Sequence, residues 1–115
     1  MRRGDVVRVD LPAPAGAPGR EQVGSRPAIV VQIDQGSARL GTVIVVPLTS
    51  NQQALRFLGS VSIAATPGNG LHVDSVALAA QVRAVDKRRI VRVLGKLAQA
   101  DLAQLEAKLK FILGL

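Results

Sequence analysis

The sequence predicts a mainly β chain that ends in a single helix, with strands short enough for a small barrel. Three observations carry that prediction. Apolar residues alternate with polar ones, or run as Val and Ile, in short stretches up to Val85. Gly, Pro and Asn punctuate those stretches. From Gln99 onward the apolar spacing changes to that of a helix.

Taken in order, Gly4-Asp5 is a turn signal, and Val6 to Leu11 follows with Val7, Arg8, Val9 and Asp10 alternating, as on a half-buried strand. Pro12 to Gly19 is too rich in Pro, Ala and Gly for helix or ladder, and two readings stand, a functional flap over a rigid sheet or an inert hairpin insertion. Pro27 to Ile33 and Thr42 to Leu48 are dense in Val and Ile and read as central strands, joined by a turn around Asp34 to Gly41. Gly59 to Ala64 is a further alternating strand, ended by the turn Thr66-Pro67-Gly68-Asn69-Gly70. Ser75 to Val85 reads as one more strand, with Gln81 and Arg83 as its polar members. Strands of this spacing suit a small barrel. In Gln99 to Leu113, Leu102, Leu105, Leu109 and Ile112 recur at helical spacing, Asp101 and Lys108 and Lys110 match the helix dipole, and Gly114 closes the helix.

With 115 residues, 48% of them hydrophobic, the chain suits one domain with one real core, spanning 1–115. Its apolar runs are far short of the roughly 20 residues that cross a bilayer, and no apolar signal region follows the charged amino terminus, so a cytoplasmic location without membrane contact is expected. No cysteine and one histidine leave no disulfide, thiol nucleophile or metal cluster to build, so no metal or other cofactor is expected and any chemistry falls to Arg, Lys, carboxylates and hydroxyls. Fifteen Lys and Arg against eight Asp and Glu give +7, which points to a polyanion, nucleic acid first; charge kept for solubility is the plain alternative. Two aromatics, Phe57 and Phe111, are too few for the stacked-base platforms of common RNA modules.

Phosphate-cradling GxxxxGKS, HExxH and GxSxG motifs are all absent. What remains is polar residues at strand boundaries, where loops hold functional groups on a rigid support: Glu21, Gln22, Ser25 and Arg26, then Thr49 and Ser50, then Gln81 and Arg83. His72, in a Gly-rich turn, reads as an exposed loop histidine, and Lys87, Arg88, Arg89 and Arg92 read equally as a track for RNA phosphates or a solvated face.

Four of these segments in this order, Arg3-Gly4-Asp5-Val6-Val7, Glu21-Gln22 through Gly24 to Arg26-Pro27-Ala28-Ile29-Val30-Val31, Val45-Val46-Pro47-Leu48-Thr49-Ser50 and Gln81-Val82-Arg83-Ala84-Val85-Asp86-Lys87, resemble the MazF and PemK toxin family, as does the closing Ile112-Leu113-Gly114-Leu115. The resemblance covers almost the whole chain. It implies an SH3-like, CcdB-type barrel, a homodimer, a cognate MazE-like antitoxin, and metal-free cleavage of single-stranded RNA, mRNA above all, by the ribose 2′-OH. It further implies that Arg26 and Thr49 are catalytic, that Glu21 is a general base as proposed in some relatives, and that Gln22, Ser25, Ser50, Gln81 and Arg83 position substrate. Ala80 stands where many members carry a carboxylate before the glutamine, and the Pro12 to Gly19 loop is longer than usual for the family. Two other functions compete: a CcdB-like gyrase poison, which needs no Arg26 and Thr49 together, and a noncatalytic RNA-binding module.

Overall fold

The computed structural model describes residues 1–12 and 22–115. Residues 13–19 of the Pro-rich loop, and Glu21, lie outside them. Strands β1 (Asp5–Leu11), β2 (Gly24–Val30), β3 (Thr42–Thr49), β4 (Ser60–Ile63), β5 (Ser75–Leu78), β6 (Arg83–Asp86) and β7 (Ile90–Lys96) are joined by a helical turn α1 (Asp34–Ser37) and followed by helix α2 (Gln99–Leu113). All pairings are antiparallel, in the order β4-β5-β3-β2-β1-β7, with β6 added on β3.

β3 organises this sheet by changing partners along its length. Thr42 to Val45 lie against Asp86 to Arg83 of β6, while Leu48 and Thr49 lie against Ala77 and Val76 of β5. On its other side β3 pairs with β2 from Val45↔Val30 to Pro47↔Ala28, where the ladder stops. The Val31 N–H bonds to the Ile44 carbonyl, so every second residue back along β2 turns its N–H to β3; the next after Ile29 is Pro27, which has none, and the ladder ends there.

The alternation of side chains sorts the apolar residues into separate clusters. One face contributes Val6, Ile29, Val46 and Leu48, which join Val61, Ile63 and Ala77 beneath Leu105 and Leu109 of α2. The other contributes Val7, Val9, Leu11, Ala28, Val30, Val43, Val45 and Val85. These last side chains are small because they fill a narrow space: β7, β1, β2, β3 and β6 form a curled circuit in which β6 runs into β7 through the 3₁₀ turn Lys87–Arg89. No ladder pairs β6 with β7, so the small barrel expected from the sequence is a barrel-like sheet left open between these two strands. Asp86 caps that turn, accepting the Arg88 backbone N–H at 2.8 Å and its guanidinium at 2.9 Å, and these bonds draw the carboxyl from 3.8 down to about 2.

The expected strand over Ser75 to Val85 is two strands. Ala79–Gln81 form a 3₁₀ turn that carries the chain from the far end of β3 to its near end. The second strand starts earlier and stops earlier than Pro27 to Ile33, and Asp34 to Gly41 holds a helical turn. β7 is the strand sequence reading did not assign, because charge dominates the segment from Lys87 to Arg92. The carboxy-terminal helix agrees in extent, and Gly114 closes it at φ 72° with its N–H on the Lys110 and Phe111 carbonyls. Arg3 of the first motif is structural: it donates to Glu106 of α2 at 2.7 Å and to the Val31 carbonyl, tying helix to sheet. No helix among the described residues is long and apolar enough to cross a membrane.

Candidate active site

Where the β2–β3 ladder stops, two strand ends run on unpaired with each other. The register Ala28↔Pro47, Ile29↔Val46, Val30↔Val45, continued by two residues, sets Arg26 level with Thr49. Strand alternation puts both on the face of Ala28 and Pro47, with Arg83, whose ladder partner is Val45, on that face as well. An arginine and a hydroxyl thus sit across a gap with no ladder hydrogen bonds between them.

Both side chains are held in a state suited to an anion. The Arg26 Nε donates to the Val23 carbonyl at 3.1 Å, which fixes the plane of the guanidinium. No carboxylate among the described residues pairs with it. Thr49 is 7% exposed, and its Oγ1 accepts the Asn51 N–H at 3.2 Å, which fills one lone pair and leaves the O–H to donate.

A recess of about 830 Å³ opens beside this ridge, with Gln22, Asn51, Arg56, Ala80 and Gln81 among its polar and small lining and Phe57, Leu58, Leu78 and Ile112 as apolar walls. Gln81 Oε1 accepts the Gln22 N–H at 2.9 Å, which joins two segments 59 positions apart. The Gln22 side-chain oxygen is buried and has no hydrogen-bond partner among the described residues. Amide edges above apolar walls are the chemistry that reads a nucleobase.

A second recess, of about 250 Å³, is lined by Arg26 together with Arg8, Ser25, Pro27, Leu48, Ser50, Leu71, His72 and Leu94, among others.

A family model described as the PemK-like, MazF-like toxin of type II toxin–antitoxin systems matches residues 2–113. The chain belongs to that family. It is 40% identical to "Endoribonuclease MazF9" of Mycobacterium tuberculosis, with 100% of the chain and 98% of the relative aligned. A crystal structure of MazF from Deinococcus radiodurans superposes with a TM-score of 0.81 at 28% identity, covering 100% of this chain and 97% of that one. A MazE-MazF crystal structure from the same organism gives 0.76 at 28% identity, covering 100% and 96%.

In this MazF-like toxin the residues singled out from sequence fall into three places. Arg26, Thr49 and Arg83 share one face. Gln22 and Gln81 meet directly in the larger recess. Ser25 and Ser50 alternate to the opposite face and line the smaller recess. Glu21 lies outside the described residues. Sequence reading missed Asn51, which supports Thr49, and Arg8, whose alternation looked like an ordinary solvent-facing position. It discounted His72, which the fold brings into the same recess as Arg26. Asn51, directly after the Thr49-Ser50 motif, was findable as a turn residue; Arg8 and His72 meet only through the fold.

Proposed function

We propose that Arg26 and Thr49 form the phosphate-activating centre of a metal-independent endoribonuclease that cuts single-stranded RNA, mRNA above all. The chain is an endoribonuclease toxin of a toxin–antitoxin system, and the observation that carries the site assignment is the level placement of Arg26 and Thr49 across the unladdered gap. In the proposed reaction the 2′-oxygen of the substrate forms a bond to phosphorus while the bond to the 5′-oxygen breaks. A base takes the 2′-OH proton, a role for which Glu21 is in sequence reach of Arg26, and an acid protonates the departing 5′-oxygen. The products are a 2′,3′-cyclic phosphate and a 5′-OH. The Arg26 fork meets the charge that builds on the nonbridging oxygens, and the Thr49 O–H adds a donor to the same group. Because the nucleophile belongs to the substrate, a chain with no cysteine and one histidine suffices.

Gln22 and Gln81 hold a base of the RNA in the larger recess, and Ser25, Ser50 and Arg83 contact the strand on either side. We read the chain as one cytoplasmic domain, working as a homodimer. Phe57 and Leu58 are 55% and 68% exposed beside Ile112, and a second copy covers this apolar face and completes the recess. A MazE-like antitoxin with an acidic segment fits a +7 surface.

The test is to incubate the protein with a long, weakly structured RNA in EDTA and to map cuts and end groups, beside Arg26→Ala and Thr49→Ala. Cleavage at one short sequence with cyclic phosphate and 5′-OH ends, lost in both variants, is expected. Intact RNA after prolonged incubation with folded protein refutes the proposal.

A further inference from the structure

The smaller recess holds groups for which the cleavage step has no use. We propose that it is a nucleotide subsite, in which Arg8 and Arg92 bind an RNA phosphate next to the scissile one while a base or ribose rests against Pro27, Leu48 and Leu94, with His72 at its edge. This rests on the endoribonuclease reading above.

Four observations carry it. Arg26 lines the recess, so whatever occupies it is contiguous with the scissile phosphate. The alternation of β1, β2 and β3 independently sends Arg8, Ser25, Pro27, Leu48 and Ser50 to that one face. Arg8 is also the direct ladder partner of Arg92 on β7, and like charges placed opposite each other on a sheet are destabilising. No carboxylate among the described residues pairs with either of them, and the Arg8 guanidinium donates only a long 3.4 Å bond to the Ser25 hydroxyl among those residues. Arg8 lines this apolar-floored recess and Arg92 stands directly beside it on β7; two such guanidiniums without a carboxylate suit a phosphate joined to a flat ring better than they suit a peptide carboxylate.

The His72 segment is fixed in advance. Asp74 accepts the Ala65 N–H at 2.8 Å on its carboxylate, and its carbonyl takes the Gln52 side chain at 3.0 Å. On the other side Asn69 is buried and bonds to Ala64, Thr66 and Leu71. Gly70 has φ 70°, and a Cβ there would collide with the Leu94 carbonyl, so the turn before His72 sits directly on β7.

The probe is a single-stranded 2′-O-methyl RNA of mixed sequence, which lacks the nucleophile and reports binding without cleavage. Its affinity is followed against salt for the wild type, for Arg8→Gln with Arg92→Gln, for His72→Ala, and for a charge-matched control, Lys108→Gln with Lys110→Gln on α2. Loss of the two arginines is expected to weaken binding about tenfold or more and to lower the slope of log K against log salt by about 0.7 per phosphate contact removed. The control keeps the wild-type slope, and Arg8→Lys with Arg92→Lys restores most of it. His72→Ala weakens binding about fivefold if the ring stacks on a base. On cleavable RNA the arginine pair raises KM more than it lowers kcat.

Wild-type affinity and slope in the arginine pair overturn the subsite, as does an equal loss in the control. The subsite is also overturned if the arginine pair binds RNA normally but loses affinity for polyglutamate, which assigns the recess to an acidic peptide. A wild type that binds the inert RNA with the expected arginine dependence yet cuts no RNA defeats the endoribonuclease reading while leaving the subsite in place.

Discussion

Strand β2 has two halves that differ in almost every respect. From Ala28 to Val30 it is buried, apolar and laddered on both sides, to β1 and to β3. From Gly24 to Pro27 it is more exposed, carries Ser25 and Arg26, and is laddered to β1 alone. β3 repeats the contrast in the opposite direction, with Val43 to Leu48 mostly inside and Thr49 at the edge of the gap. The lesson is that the same two strands supply stability where they pair and, on the proposed assignment, chemistry where they part, so a substitution's effect should change in kind within a few residues.

The sharpest test of this contrast is Arg26→Ala, expected to lower cleavage by about 10²–10³-fold while folding stability stays within about 0.5 kcal/mol. A large drop in the urea midpoint would break the comparison. Three residues along the same strand, Ile29→Ala should do the reverse, costing about 2–5 kcal/mol of unfolding free energy while the protein that remains folded cuts at the wild-type site. Gly70→Ala comes next, at about 1–3 kcal/mol from its positive φ alone, read as a fall in melting temperature. Gln81→Ala removes the acceptor that holds the Gln22 backbone and should cost roughly tenfold in kcat/KM, with a broader set of cut sequences. The smallest effect is at the turn between β6 and β7. Asp86 has a folded pKa of about 2 against 3.8 for the free side chain, so its contribution is present above 3.8 and fades as pH falls towards 2. Wild type and Asp86→Asn should therefore differ slightly in melting temperature at neutral pH and converge across that window.

Much of the fold was legible, because period-two alternation and the helical spacing after Gln99 follow directly from which faces are buried. β7 was not, although Ile90-Val91-Arg92-Val93-Leu94 contains apolar residues enough, because its charges read as a surface run until the ladder to β1 is known. The break at Ala79–Gln81 was hidden for a different reason: Ala79-Ala80 carry no turn chemistry, and the turn forms because β3 offers two separate docking places. At the candidate site, the motif residues were singled out by resemblance to a family, but how the fold sorts them was not legible. That Arg26 stands level with Thr49 depends on a register, a relation between distant positions. That Ser25 and Ser50 turn away follows from simple parity once the strand bounds are set.

The change of partners along β3 also bears on how such a protein can diversify. Arg26 is anchored through β1 and β2, whereas Ala80 and Gln81 hang from the turn between β5 and β6, which dock on separate stretches of β3. On the proposed assignment the cleaving arginine and one of the two base-holding glutamines therefore stand on different supports, with Gln22, four residues before Arg26, tied to the second through its bond to Gln81. Under that assignment, side chains at Ala80 can change without rebuilding the strands that hold Arg26.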